Sequence, residues 1–177
     1  RRKAEDFADY GTAFGLDMSM DPQGESATRP AAHPAPAKAP TMSDAALSQL
    51  RAHQFAGLRP GPKLIVLGAV HGNEVAGVHA IRRVLAELDA GQLAITRGLV
   101  TFVPVTNPLA HANARRIGDR NLNRNLRPTA VPQDFEDRIA NVLCPWLDAH
   151  DVLLDLHSFQ GPGEAFAMLG PEDNTGT

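Results

Sequence analysis

From position 62 onward, short apolar runs alternate with longer stretches of helical periodicity. Lys63 to Val70 (K-L-I-V-L-G-A-V) is continuously apolar, the pattern of a buried strand. Val75 to Asp89 then places Val75, Val78, Ile81, Leu85 and Leu88 at helical spacing, with Arg82, Arg83 and Glu87 opposite, and Gly91 as the stop. Leu99 to Val105 is a second strand, whose Pro104 puts it at an edge or makes the proline a strand end. Asn107 to Thr129 has no period and is rich in Asn and Arg. Asp134 to Ala149 is a second helix with Phe135, Ile139, Val142, Leu143, Trp146 and Leu147 on one face. Val152 to Leu156 is a third strand and Ala165 to Leu169 a fourth. Strands alternating with helices predict an α/β layered domain with a largely parallel sheet.

The first 41 residues follow other rules. Ala27 to Pro40 (A-T-R-P-A-A-H-P-A-P-A-K-A-P) alternates Pro and Ala, which favours an extended linker and excludes helix or sheet pairing. Residues 5–20 have the composition of a short helical turn but bury no core alone. Met42-Ser43-Asp44 reads as the start of the folded domain, with Ser43 or Asp44 capping a helix through Leu50. The expected division is a disordered or linker tail over 1–41 and the domain over 42–177. The chain opens on Arg and ends in loop-like sequence, so the domain is expected to be incomplete at its C-terminus.

Composition changes this picture little. A net charge of −3 and a hydrophobic fraction of 43% suit one domain with a core. No basic stripe points to nucleic acid. No apolar run approaches the roughly 20 residues of a membrane-spanning helix. Cys144 is the only cysteine, so no intrachain disulfide forms, and a reducing cytoplasm is the expected location.

The chemistry sits at strand ends. His71-Gly72-Asn73-Glu74 follows the first strand, where open α/β sheets bind ligands. Imidazole and carboxylate three residues apart across a tight turn reach one metal ion. Gly72 is expected to permit the turn and Asn73 to cap the helix. Alone, the motif reads more readily as a loop histidine and a glutamate complementing the helix dipole. Asp155-Leu156-His157-Ser158 ends the third strand, and Asp155 and His157, two apart, share a face. His157 then completes a His–Glu–His set and Asp155 supports a ligand from behind. Three protein ligands leave a fourth position for water. The loop Ala114 to Arg127 (A-R-R-I-G-D-R-N-L-N-R-N-L-R) offers guanidinium and amide groups for an anionic substrate; alone it reads more readily as a solvated basic loop or one meeting RNA phosphate.

His33 lies in the tail, His53 near a helix end and His79 on the first helix. His111 shares the Asn/Arg loop, and His150 meets the negative end of the second helix. Cys144 is a small packing residue.

H-G-N-E after a buried strand, then Arg116 seven residues before Asn123-Arg124, then D-L-H-S after another strand, resembles the succinylglutamate desuccinylase/aspartoacylase family over about Pro62 to Leu169. The resemblance implies a three-layer zinc carboxypeptidase-like domain with a mostly parallel or mixed sheet. It implies one Zn²⁺ per chain on His71, Glu74 and His157. It implies Asn123 and Arg124 on the substrate carboxylate, and Arg116 polarising the scissile carbonyl and stabilising its oxyanion. The expected activity is cleavage of the amide bond of a small N-acyl amino acid. Alternatives are a metallocarboxypeptidase-like peptide hydrolase or a non-catalytic zinc- or carboxylate-binding module. The general-base glutamate of the family lies beyond this chain; Glu164, in G-P-G-E, lacks its context.

A tail of this composition buries too little apolar area to offset its chain entropy. A chain starting at Met42 should therefore melt at the same temperature as residues 1–177 in a calorimetric scan; a clear drop would show that the tail packs on the domain.

Overall fold

The computed structural model describes residues 42–159 and 161–170. The tail, its His33, and the side chains of Ser43 and Asp44 lie outside the described residues. The elements run α1 (Met42–Leu47), β1 (His53–Ala56), β2 (Arg59–Gly68), α2 (Ala76–Asp89), β3 (Arg97–Val103), α3 (Pro108–Ala112), α4 (Phe135–Asp148) and β4 (Val152–Leu156). Among the described residues, no helix is long and apolar enough to cross a membrane.

The strands form a four-stranded mixed sheet in the order β1-β3-β2-β4. β2 pairs in parallel with both β3 and β4, and β1 pairs antiparallel with β3. Alternation along the strands sends side chains to two cores. Ile65, Leu67 and Val103 pack with Phe135, Ile139, Leu143 and Leu147 of α4. Val66 and Phe102 pack with Ile81 and Leu85 of α2. Helices therefore cover both faces, giving three layers.

The periodic elements fall close to their expected places, with corrections at several ends. β2 begins at Arg59 and stops at Gly68, so Ala69 and Val70 belong to the turn. β3 is an internal strand, and Pro104 follows its last residue. β1 was not expected: His53 sits on this edge strand instead of near a helix end. The Asn107 region is not wholly irregular. Asn107 caps α3 by accepting from the Ala110 N–H at 3.1 Å, with Pro108 as the first helical residue. Asp134 caps α4 in the same way, accepting from the Asp137 N–H.

The expected strand over Ala165–Leu169 is not formed. Residues 161–170 have no regular structure, and Phe166, Met168 and Leu169 are exposed. Apolar composition selects a strand only where a neighbouring strand supplies the ladder of hydrogen bonds, and among the described residues none lies beside this segment.

Two packing positions decide where the site lies. Gly77 in α2 faces β4, and a Cβ there would sit 2.8 Å from Leu156 Cβ and 3.2 Å from the Leu156 carbonyl oxygen. Leu122, in the middle of the Asn/Arg loop, is buried in the α4-side core. Helix propensity alone would make Gly77→Ala stabilising by about 1 kcal/mol. Overlap with β4 should reverse the sign, giving a net loss of about 1–3 kcal/mol in urea unfolding. Leu122→Ala should cost about 2–5 kcal/mol in the same measurement. A stabilised Gly77→Ala, or a neutral Leu122→Ala, would contradict this packing.

Candidate metal centre

β2 and β4 run side by side in one direction, with Gly68 opposite Leu156. Their carboxyl ends therefore emerge together, and the residues just beyond them, His71 and His157, meet. After β2 the chain turns sharply. Ala69 takes φ 48°, a left-handed conformation rare outside glycine. The turn is held by the Thr106 N–H on the Gly68 carbonyl and the Asn107 N–H on the Ala69 carbonyl. Gly72 is needed for close approach: a Cβ there would overlap the Ala110 carbonyl carbon and the His111 nitrogen. Asn73 does not cap α2; Val75 holds that place without a side-chain bond.

His71, Glu74 and His157 bring their ligand atoms within 4.8 Å of one another. His71 and Glu74 are buried, and His157 is partly so. Glu74 is the hub. Its Oε1 lies 2.9 Å from His71 Nδ1 and accepts from Arg116 at 2.6 Å. Its Oε2 lies 2.9 Å from His157 Nδ1 and accepts from the Ser158 N–H at 2.9 Å.

Each imidazole is oriented from behind. His157 Nε2 lies 2.8 Å from Asp155 Oδ2, as two residues sharing a strand face allow. His71 Nε2 lies 3.2 Å from Asn121 Oδ1. That oxygen also accepts from the Asn123 N–H at 2.9 Å, which fixes the amide with its oxygen toward the ring. Both Nε2 atoms therefore donate, and both Nδ1 atoms are turned to the centre.

The electrostatics agree. Burial works to raise the Glu74 pKa, but hydrogen bonds from His157, His71 and the Ser158 N–H outweigh it and hold the carboxyl well below the usual range. Burial works to lower the His157 pKa, but the hydrogen bonds and charges of Asp155 and Glu74 push it up to about 10. A pocket that favours a proton on an imidazole facing a carboxylate also favours a cation. Two imidazole nitrogens and a carboxylate form a donor set that fits Zn²⁺.

The Asn/Arg loop runs past this centre. Arg116 reaches it directly, and its carbonyl accepts from the Gly72 N–H. Arg124 donates to the Asn123 carbonyl at 2.7 Å. His111 donates from Nδ1 to the Gly72 carbonyl at 2.9 Å, bracing the H-G-N-E turn. His79 is exposed on α2. His150 lies with Nδ1 2.6 Å from the Trp146 carbonyl at the end of α4. Cys144 is buried, and burial, with Asp148 adding to it, pushes its thiol up to about 11. Glu164 is exposed in the irregular segment after β4.

The sequence did not single out Asn121. Asn121 was inside the recognised loop, but nothing in N-L-N-R tells which amide faces a histidine.

Comparisons with known proteins identify the family. Residues 60–161 match the succinylglutamate desuccinylase/aspartoacylase catalytic domain. An N-acyl-aromatic-L-amino acid amidohydrolase (carboxylate-forming) of Rattus norvegicus is 37% identical over 113 residues, 56% of this chain and 34% of the relative. An N-alpha-acetyl-L-2,4-diaminobutyric acid deacetylase of Halomonas elongata is 33% identical over 104 residues, 55% of this chain and 29% of the relative. The chain thus spans about a third of the length of these curated relatives. The crystal structure of an aspartoacylase family protein from Mesorhizobium loti superposes with a TM-score of 0.54 at 34% identity, over 62% of this chain and 35% of that one. With the match extending over more than half its length, the chain belongs to the succinylglutamate desuccinylase/aspartoacylase family.

Proposed function

We propose that this chain carries the zinc centre and part of the substrate site of an amidohydrolase that releases an amino acid from its N-acyl derivative. The observation that carries this reading is the convergence of His71 Nδ1, the Glu74 carboxylate and His157 Nδ1 at the carboxyl ends of parallel strands. The named activities of the two curated relatives, both on N-acyl amino acids, support it. When bound, zinc supplies Lewis acidity, polarising an acyl carbonyl and lowering the pKa of water to about 7.

The chain's own residues then have distinct tasks. Asn121 and Asp155 hold the two imidazoles in the tautomer that leaves Nδ1 free. Arg116, anchored on Glu74, presents a fixed positive charge to the oxygen that becomes negative as the acyl carbon is attacked. Asn123 and Arg124 bind the amino-acid carboxylate, Arg124 by a paired contact with both oxygens. The general base is a further carboxylate, since those described near the centre are engaged. Glu74 holds both histidines and Asp155 holds His157. We place it outside the described residues. A lone, buried Cys144 suits a reducing cytoplasm.

The purified chain should bind about one Zn²⁺, and His71→Ala or His157→Ala should abolish most of it by metal analysis. Unchanged zinc in both variants would remove the reading. With N-succinyl and N-acetyl amino acids, calorimetric titration should show binding that Arg124→Ala weakens. Turnover should be lower than in a longer protein by the roughly 10²–10⁴ typical of a general base. Full turnover by residues 42–177 would make a carboxylate of this chain, Glu164 first, the base. Hydrolysis of dipeptides in preference to acyl amino acids would favour a peptidase.

A further inference from the structure

Glu136 is a carboxylate with no exposed surface and no task in the site described above. It lies in the first turn of α4. Burying a carboxylate without partners costs several kcal/mol, so its bonds matter. Its Oε1 accepts from Asn107 Nδ2 at 2.9 Å. Its Oε2 accepts from the backbone N–H groups of Asp119 and Arg120, both at 3.2 Å. The positive end of the α4 dipole adds to these three donors. Glu136 therefore meets its needs by binding two other segments of chain.

Both segments lead to His71. The loop that Glu136 holds at Asp119 and Arg120 continues into Asn121, whose oxygen lies against His71 Nε2. Asn107, held through its amide, uses its own oxygen to cap α3 at Ala110. The α3 backbone at Ala110 and His111 is what Gly72 packs on, directly after His71. The clasp is reciprocal: Asp119 Oδ2 accepts from the Phe135 N–H, the first residue of α4. The fit is close, because a Cβ on Gly118 would overlap Glu136 Oε1.

We infer that Glu136 is the positioning residue of the metal centre: it clamps the Asn/Arg loop and the α3 cap to α4 and thereby sets the Asn121 oxygen behind His71. This rests on the zinc reading above and adds a residue that touches neither metal nor substrate. Glutamine cannot replace it. With the amide oxygen of Glu136→Gln toward the two backbone N–H groups, its NH₂ faces the Asn107 NH₂. Asn107 cannot turn over, because its oxygen is committed to Ala110. The reverse placement sets the NH₂ against the two backbone donors. Either way a buried donor faces a donor.

The test compares the 177-residue chain with Glu136→Gln and with Leu143→Ala, a core change on the same helix that leaves the clasp alone. Zn²⁺ affinity is measured by competition with a chromophoric chelator, well below the melting temperature of all three. Glu136→Gln should weaken zinc by about 10–100-fold, the range for groups that orient metal ligands. Leu143→Ala should lower the melting temperature and leave zinc affinity unchanged. Amide hydrogen exchange without added metal is the second readout. In Glu136→Gln the Asp119, Arg120 and Asn123 amides should lose protection while those of β2 keep it. Parent-like zinc affinity and parent-like protection in Glu136→Gln would overturn the inference. So would equal zinc loss in Leu143→Ala, which would reduce Glu136 to a general stability role. If the parent itself takes no zinc, the zinc reading fails at that point, and exchange at Asn123 decides for or against the clamp.

Discussion

The parallel pairing of β2 with β4 is the constraint on which the site depends. Gly68 lies opposite Leu156, so the two chains leave the sheet at the same level. A shift of one residue would turn Asp155 and His157 to the other face, toward α2. The core on both sides resists that shift. Leu153 packs on the α4 side and Leu156 on the α2 side, where it meets the bare backbone of Gly77. Register, core and the proposed metal ligands are thus one problem with one solution.

The loop from Ala114 to Arg127 shows how a polar segment becomes rigid enough to serve a site. Its composition suggests a solvated basic loop. Yet Arg120 bonds Asp137 on α4 and Asp134, its cap, and Leu122 is fully buried in the core between two asparagines. The magnitudes rank these anchors. Partly exposed ion pairs contribute about 0–1 kcal/mol each, whereas burying one leucine contributes about 1.5–3 kcal/mol. Leu122 is the main anchor, and the ion pairs choose the orientation. With Leu122 pointing inward, Asn121 reaches His71 and Asn123 lies just beyond it.

Glu74 concentrates the electrostatics of the centre. Two imidazoles, a guanidinium and a backbone N–H converge on its two oxygens. Without these donors a buried carboxylate would take up a proton; with them it stays charged. The same convergence draws in Arg116, placing beside the proposed ligands a cation suited to a developing oxyanion.

Several features were legible in the sequence because they are local. The periods of β2, α2, α4 and β4, the helix start at Asp134 and the stop at Gly91, and the strand-end positions of His71 and His157 all follow from side-chain spacing and turn chemistry. The shared face of Asp155 and His157 follows from the two-residue repeat of a strand. Other features were not. β1 is too short and polar to show a period and forms only because β3 offers an edge. The segment Ala165–Leu169 has the composition of a strand and remains irregular, with no strand beside it among the described residues. Gly72 is the expected turn residue, but its close contact with α3 was not legible. Asn121 was chosen as the support of His71, and Glu136 as the clamp of its loop, by tertiary structure alone. Sequence carries the chemistry each residue offers and its local geometry. Which group lies behind a histidine 50 residues away depends on topology and register, which the packing of the whole sheet decides.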